Sequence, residues 1–332
     1  MLRSFYSGVS GLKVNQVKLD VIGNNIANVG TTAFKSSRVR FKDMVSQNVN
    51  EAGAPGTSLG GVNAKQVGLG VQVSGIDTMV GQGMMQPTSR NLDVAMDGQG
   101  YLMVARGPLN GEVTLKDDTI DTTAASTLDV SYTRDGALIR DDAGHLLTSD
   151  GARVMGYSIA GNTSYDVTTG LPTITFVDAN GTIVPAADTD KLIPLSIPDS
   201  IELADGSLQR ITTFSIEKNG EIKANLQNGS VAVIGQIAMA SFSNPEGLKK
   251  IGNNLFENTA NSGVPVVRSG TGATTDNSSG YGDMLQGMLE MSNVDLAEQF
   301  TDMIIAQRAF QASGKSITTG DEILQELIGL KR

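Results

Sequence analysis

The sequence predicts an α+β fold, in which long N- and C-terminal α-helices pair as a coiled-coil-like inner domain and a discontinuous, mainly antiparallel β outer region lies between them in the chain. Three observations predict it. Apolar residues recur every three or four positions at both ends of the 332-residue chain. Short alternating apolar runs fill the middle. Eight Asn-Gly or Asp-Gly dipeptides separate those runs, and such pairs are typical of hairpin turns.

The N-terminal helix is predicted over residues 3–26, and Asn28 and Gly30 provide its end. A helix with one apolar stripe buries only part of that stripe against a single partner, which favours further helices around the pair. The stripe has three- and four-residue spacing and consists of Leu2, Phe5, Val9, Leu12, Gln16, Leu19, Ile22 and Ile26.

The C-terminal helix is predicted over residues 294–329, and Ser292 and Asp295 resemble the start of a capping box. Its seam has strict four–three spacing and consists of Leu296, Phe300, Met303, Gln307, Phe310, Gly314, Ile317, Asp321, Leu324 and Ile328, widened by Ile304. The polar and glycine positions make this a poor seam for a lone coiled coil. Two interpretations stay open: the terminal helices pair only within one domain, or their stripes also join neighbouring copies of the chain.

The β region extends over roughly residues 71–283. Type I′ turns are predicted at dipeptides such as Asp150-Gly151 and Asn219-Gly220, because these pairs tolerate a positive φ at both central residues. The glycine-rich residues 46–70 are expected to be a loop or an arm that orders on assembly. The predicted organisation is a helical inner domain from residues 1–27 and 284–332, a connector at 28–70, a β domain from 71–157 and 229–283, and a short outer β insertion at 158–228.

Composition excludes several classes of chemistry. The chain has no Cys and one His, so thiol catalysis, Cys-ligated metals and His-pair metal sites fall away. A formal net charge of −10 argues against nucleic-acid binding, and no apolar run reaches the roughly 20 residues of a membrane span. Residues 1–44 carry seven bases and two acids, whereas residues 283–332 carry four bases and eight acids, so opposite charge favours association of the ends. With no signal peptide at its start, the chain is expected to stay in the cytoplasm or to use an export route that reads no such peptide.

No catalytic motif has the context that its chemistry requires, so we predict neither an enzyme nor a cofactor. The nucleophile-elbow pattern Gly56–Gly60 lies in a connector, Ser10–Lys13 lies on a packing stripe, and Gly314–Ser316 lies in a helix rather than a phosphate-binding loop. Acidic residues at 117, 118 and 121 lack the spacing of a calcium loop, and His145 is expected to be an ordinary exposed histidine in a turn.

Both ends of the chain carry long motifs. They are residues 7–12 (SGVSGL), 19–28 (LDVIGNNIAN) and 31–35 (TTAFK) at the N-terminus, and 290–296 (EMSNVDL), 303–304 and 306–310 at the C-terminus. These motifs resemble the signatures of bacterial flagellar rod and hook proteins. Ala33 departs from the pattern, because the family usually has glycine there. The motif positions are Asn24, Asn25, Ala27, Asn28, Thr32, Phe34, Lys35, Ser292, Asn293, Val294, Gln307 and Arg308.

Within the family, residues 37–44 and 294–297 look more like a hook subunit than a rod subunit. The resemblance implies a structural subunit that polymerises helically into a short, curved, flexible tube, a universal joint that transmits torque from rod to filament. The implied partners are further copies of itself, the distal rod, the hook cap, the hook–filament junction proteins and the flagellar type III export apparatus; the implied location is the flagellum, outside the cell after export. Two alternatives stay open, the distal rod protein, which the short 158–228 segment suits, and a carbohydrate-binding or adhesive β module. The residues expected to pack the inner helices and the polymer are Leu2, Phe5, Val9, Leu12, Leu19, Ile22, Ile26, Leu296, Phe300, Met303, Ile304, Phe310, Ile317 and Leu324.

Overall fold

Both predicted terminal helices are present, and the chain between them is mainly antiparallel β structure, which confirms the predicted fold class. The chain divides into two compact units. We call Met1–Gly30, Lys35–Met79 and Val294–Arg332 the helical unit, and Thr31–Phe34 with Val80–Asn293 the β unit. A computed structural model describes residues 2–54, 56, 60–109, 111–116, 119–120, 128–159, 162–165, 172–179, 190–203, 205–268 and 282–330.

The helical unit combines the two helices with two small strand pairs. Its elements are α1 (Leu2–Ala27), β1 (Ser37–Asp43), β2 (Ser46–Asn50), β3 (Lys65–Gly68), β4 (Val71–Thr78) and α2 (Leu296–Gly329). β1 pairs antiparallel with β4, from Ser37 opposite Thr78 to Asp43 opposite Val71. β2 pairs antiparallel with β3, and every residue of these two strands is exposed. A hairpin therefore occupies part of 46–70, where we expected a loop or an arm.

Helix α2 begins at Leu296, two residues after its predicted start at 294. Asp295, not Ser292, is the N-cap, and its carboxylate accepts hydrogen bonds from the backbone N–H groups of Ala297 at 2.8 Å and Glu298 at 3.3 Å. The predicted Ser-x-x-Asp capping box is therefore wrong in its assignment. Asp is as good an N-cap as Ser, and Asp295 lies directly before the first apolar residue of the seam. From there its carboxylate can accept hydrogen bonds from the first backbone N–H groups of the helix, which have no acceptor within the helix.

The β unit is built from short strands. Among its described residues they are β5 (Met85–Pro87), β6 (Val94–Asp97), β7 (Tyr101–Arg106), β8 (Val113–Lys116), β9 (Thr119–Ile120), β10 (Asp129–Thr133), β11 (Ile139–Arg140), β12 (Leu146–Leu147), β13 (Arg153–Ser158), β14 (Thr163–Tyr165), β15 (Pro172–Ile174), β16 (Lys191–Pro194), β17 (Ser200–Glu202), β18 (Leu208–Ile216), β19 (Glu221–Leu226), β20 (Val231–Ile237), β21 (Met239–Ser241), β22 (Lys249–Gly252), β23 (Leu255–Glu257), β24 (Val266–Arg268), β25 (Asp283–Gln286) and β26 (Met288–Glu290), with a 3-10 turn at Pro245–Gly247.

The main sheet runs in the order β17-β18-β19-β20-β13-β16-β8-β9-β24-β21-β7-β10-β23-β22. An additional pairing between β13 and β7 closes β13, β16, β8, β9, β24, β21 and β7 into a ring. A buried aromatic group packs in one of the two core clusters, with Tyr132 and Tyr101 edge-on to Phe242 at 4.8 and 5.6 Å between ring centroids. The ring gives this aromatic-poor chain an enclosed core.

The predicted type I′ turns are wrong in type at four dipeptides. Gly151, Gly206, Gly220 and Gly229 have φ between 74° and 84°, but the Asp or Asn before each is not among the residues with positive φ. Each glycine N–H donates to the carbonyl three residues earlier, as Gly220 does to Glu217 at 2.9 Å. The dipeptides therefore close type I turns followed by a left-handed glycine, the usual three-residue hairpin loop. Positive φ at successive residues occurs instead at Gly252, Asn253 and Asn254, where β22 ends and β23 follows.

The expectation for His145 is also wrong. Its side chain is 1% exposed, and its ring lies 5.7 Å from that of Tyr165. The turn ends at Gly144, whose N–H donates to Asp141, so His145 already pairs with Ser196 across a β-bridge and enters the core.

Candidate functional site

Helices α1 and α2 pack antiparallel through small residues. A methyl group in place of the Gly8 hydrogen would lie 2.8 Å from Cγ1 of Ile317, and one at Gly320 would lie 2.9 Å from Cζ of Phe5. Residues of increasing number along α1 contact residues of decreasing number along α2, so the two helices are antiparallel. Since each glycine accepts a large side chain of the partner helix, the helices approach closely.

Asn25, one of the predicted motif residues, joins three elements of the helical unit. It is 2% exposed, and its Nδ2 donates to the Ser37 carbonyl at 2.9 Å and to Oε1 of Gln299 at 3.0 Å. Its Oδ1 accepts the N–H of Ser37 at 3.0 Å. Every polar hydrogen of the amide is used, so Asn25 binds α1 at once to α2 and to the first residue of β1.

A second polar contact supports the same register. Nζ of Lys18 lies 3.2 Å from Oδ1 of Asp302, and both side chains are partly exposed. Exposed ion pairs contribute little stability, about 0.2–1 kcal/mol. Lys18 therefore assists a register that Asn25 and the glycines define.

The predicted packing residues fall into two groups. Phe5, Leu12, Leu19, Ile22, Ile26, Met303, Ile317 and Leu324 are buried or half-buried, whereas Val9, Leu296, Phe300, Ile304 and Phe310 are exposed. Leu2 lies in α1, but its side chain is outside the described residues. The sequence stripe missed the buried residues Val14 and Ala306. β4 also contacts α1, where Oγ of Ser10 accepts the N–H of Val71 at 3.3 Å, so the buried arc of α1 is wider than one stripe.

One face of α2 stays uncovered in the single chain. Leu296, Phe300, Ile304 and Phe310 define this α2 apolar face, and their exposed fractions reach 50% at Phe300 and 58% at Ile304. Isolated exposed apolar residues are ordinary, but four on one helix, spaced by four to six residues, mark a surface that another chain can cover.

Three further motif residues meet in the β unit. Oγ1 of Thr32 donates to Oδ1 of Asp135 at 3.0 Å. The N–H of Asn293 donates to the Phe34 carbonyl at 3.3 Å, and its Nδ2 donates to the Gly81 carbonyl at 3.1 Å. The N-terminal and C-terminal signatures are thus hydrogen-bonded to each other across the sequence.

Ala33 and Phe34 show how tightly this segment is held. Ala33 is buried with φ 55°, in the left-handed region, and its N–H donates to the Glu290 carbonyl at 2.8 Å. The ammonium of Lys250 lies 5.0 Å from the centre of the Phe34 ring. Burial lowers the pKa of Lys250. The residue that departs from the family pattern therefore adopts the backbone conformation that glycine would adopt more easily.

Sequence reasoning assigned no role to Arg134 and Glu290, which form a buried ion pair. Nε of Arg134 lies 2.9 Å from Oε2 of Glu290, and the side chains are 2% and 0% exposed. The guanidinium also lies over the Tyr101 ring at 5.5 Å. Burial raises the pKa of Tyr101, although the Arg134 charge opposes that rise. The available signal was weak, because the partners are 156 residues apart.

The remaining motif residues have diverse surroundings. Nδ2 of Asn28 donates to Oδ1 of Asn24 at 2.7 Å and closes the last turn of α1. Lys35 is buried, Ser292 and Val294 are half-buried, and Ala27, Gln307 and Arg308 are exposed.

Among the described ranges, no three His, Asp or Glu side chains lie close enough together to bind a metal ion. The acidic residues at 117, 118 and 121, and most of the elbow pattern at 56–60, lie outside those ranges. Neither helix in the part of the chain that the structure describes is long and apolar enough to cross a bilayer.

The chain is similar to known protein families and to individual proteins of known name. The family described as "Flagella basal body rod protein" matches residues 5–35, and "Flagellar basal body rod FlgEFG protein C-terminal" matches residues 285–330. The chain is 41% identical to the flagellar basal-body rod protein FlgG of Bacillus subtilis and 34% identical to the flagellar hook protein FlgE of Borreliella burgdorferi, with 100% of each chain covered in both comparisons. A crystal structure of the Helicobacter pylori flagellar hook protein FlgE2 aligns with a TM-score of 0.40 and 12% identity, over 62% of this chain and 100% of that one.

Proposed function

Because this chain belongs to the family of flagellar basal-body rod and hook proteins, a component of the bacterial flagellum, we propose that it is a structural subunit that joins copies of itself into an axial tube. The tube that we propose is the hook, a curved joint between rod and filament. In this proposal the tube also contacts neighbouring axial proteins at its two ends and the hook cap during growth. The subunits reach it by the type III export route. The relatives carry the names of rod and hook proteins, and we assign the chain no reaction.

The α2 apolar face is the observation that carries the proposal. Its four side chains keep between 39% and 58% of their surface exposed. Full burial of a large apolar side chain is worth about 1.5–3 kcal/mol, so covering the exposed half of four of them gains about 4 kcal/mol per copy. That gain is too small for one tight dimer, which must also offset the entropy of association. In a tube each copy has several neighbours, and its contacts with them would add to this gain.

The hook is favoured by residues 37–44 and 294–297, which resemble hook subunits and which form β1 and the start of α2. The distal rod is the second candidate, and two comparisons favour it. The relative at 41% identity is named a rod protein. The alignment with the Borreliella hook protein extends over 448 positions, so that relative has long stretches with no counterpart in this chain.

The shape of the polymer separates the two candidates. Purified full-length protein should assemble into tubes visible by electron microscopy, and curved tubes of variable bend are expected for a hook. Straight, rigid tubes would refute the hook and support the rod.

The contribution of the α2 apolar face is tested by substitution. Phe300→Asp and Ile304→Asp should abolish assembly, because each places a charge on the surface to be covered. Thr319→Asp, which adds the same charge at an exposed polar position of α2, is the control and should assemble normally. Normal assembly of both apolar-face variants would contradict the proposal.

A further inference from the structure

We propose that Arg134 and Glu290 are a positioning pair that holds together the segments by which the β unit continues into the rest of the chain. In an assembled tube this pair would be the point through which the β unit transmits load. The mechanical part of this proposal, the transmission of load, rests on the proposed function. The local part, the positioning of these segments, concerns the single chain.

The chain enters or leaves the β unit after Gly30, Phe34, Met79 and Asn293. The residues of the β unit at these passages form three segments, 31–34, 80–84 and 290–293. We call them the exit segments. Each is hydrogen-bonded to another: Asn293 binds both Phe34 and Gly81, and Ala33 binds the Glu290 carbonyl.

The side chain of Glu290 extends this connection. Its Oε1 accepts the N–H of Gly83 at 2.8 Å, and its Oε2 accepts from Nε of Arg134 at 2.9 Å. One residue thus binds exit segment 31–34 through its backbone, segment 80–84 through one carboxylate oxygen, and Arg134 through the other.

Arg134 anchors Glu290 to the turn between β6 and β7. Its Nη1 donates to the Gly100 carbonyl at 3.1 Å, and its Nη2 donates to the carbonyls of Gly98 at 2.8 Å and Met96 at 3.3 Å. Lysine has no fork of donors and cannot reproduce this pattern. A buried charge held in this way cannot be released without removing the counter-charge of Glu290 and the donors to the carbonyls of Gly98 and Gly100.

The backbone packs closely at two glycines near the pair. A methyl group at Gly83 would lie 1.9 Å from the Met291 carbonyl oxygen, and one at Gly282 would lie 1.6 Å from the Asp97 carbonyl oxygen. Both contacts are with backbone, which cannot rotate away as a side chain can. Exit segments 80–84 and 290–293 are therefore joined through Glu290 and also contact each other closely at Gly83 and Met291.

A pair that only added stability would affect the whole β unit equally. A pair that positions the exit segments affects them first, because the rest of the sheet has its own ladders. The surface pair Arg140–Asp199, 39% and 80% exposed in the same unit, offers a matched control.

The test is amide hydrogen exchange in the full-length chain with Arg134→Lys, Glu290→Gln and the control Arg140→Lys. We expect at least tenfold faster exchange at Ala33 and Gly83 in the first two variants, with unchanged rates at Leu195 and Ala238, whose amides bond within the core. The control should match the wild type. Equal acceleration at all four amides, or none at Ala33 and Gly83, would overturn the positioning role. Glu290→Gln keeps size and shape, so it remains informative if the lysine variant fails to fold.

The mechanical part is tested on polymers of the same proteins. Tubes of Arg134→Lys should keep the wild-type subunit repeat but show a persistence length altered at least twofold in electron micrographs, and Arg140→Lys tubes should not. An unchanged persistence length would overturn load transmission through the pair. Failure of the wild type to form tubes would refute the proposed function and leave the exchange result standing.

Discussion

Asn25 provides a stringent test of how the helical unit is held together, because its neighbour Asn24 is the matched control. Asn25→Asp changes one NH₂ group to oxygen and keeps the size of the side chain. The carboxylate can still accept the N–H of Ser37, but it cannot donate to the Ser37 carbonyl or to Gln299, as the amide does.

The expected magnitude follows from these contacts. Two hydrogen bonds are lost, each worth about 1 kcal/mol net. A negative charge also replaces a neutral group that is 2% exposed, next to a carbonyl oxygen, which adds at least about 1–2 kcal/mol. We therefore expect Asn25→Asp to lower the free energy of unfolding by about 3–4 kcal/mol at pH 7.

The measurement is urea unfolding of the full-length chain followed by helical circular dichroism at about 222 nm. Asn24 is exposed and accepts a hydrogen bond from Asn28, which a carboxylate also accepts, so Asn24→Asp should change stability by less than about 0.5 kcal/mol. A loss below about 1 kcal/mol for Asn25→Asp, or equal losses for the two variants, would refute the assigned role.

Three other outcomes are expected. Gly320→Ala should destabilise the helical unit by about 1 kcal/mol, because the added methyl group clashes with Phe5. Gly314→Ala should stabilise the unit by about 0.5–1 kcal/mol, because nothing lies within 4 Å of its added methyl group. Thermal unfolding compares the two variants, and equal effects would contradict close packing of the helices at Gly320. Ala33→Gly should raise the free energy of unfolding by up to about 1 kcal/mol, because glycine adopts φ 55° without strain; a loss in urea unfolding would count against it. Burial raises the pKa of Tyr165 to about 12. Because an unfolded tyrosine ionises near pH 10, the stability that Tyr165 contributes is complete below about pH 10 and is lost by about pH 12, a loss of up to about 2 kcal/mol. Tyr165→Phe should reduce this loss of stability at alkaline pH. An unchanged alkaline unfolding transition would exclude Tyr165 as its cause.

The helices were predictable because their signal is local. A three–four stripe over many turns identifies a helix whatever lies around it. What the stripe could not identify is the partner surface, since glycines and serines carry no apolar signal. Gly8 and Gly320 were therefore absent from the predicted packing face, although they set how closely the helices approach.

The errors share a different cause. The dipeptides correctly indicated turns, but whether Asp or Asn takes positive φ depends on the loop length between strands, which the sequence leaves ambiguous. His145 looked exposed because a turn precedes it, and only its pairing with Ser196 buries it. The ion pair of Arg134 and Glu290 was not predicted, because burial of an ion pair depends on contacts between residues that are here 156 apart in sequence.

The order of elements along the chain has a consequence for timing. α1 is the first element and α2 the last, and the contact between Lys18 and Asp302 spans 284 residues. Such a long loop closes late, and the two helices cannot meet until nearly the whole chain is free to fold. The α2 apolar face therefore takes its place on a finished helix pair only after the rest of the molecule is available. A chain that stops before α2 lacks that surface, so in the proposed polymer connectivity would restrict assembly to chains that carry both helices.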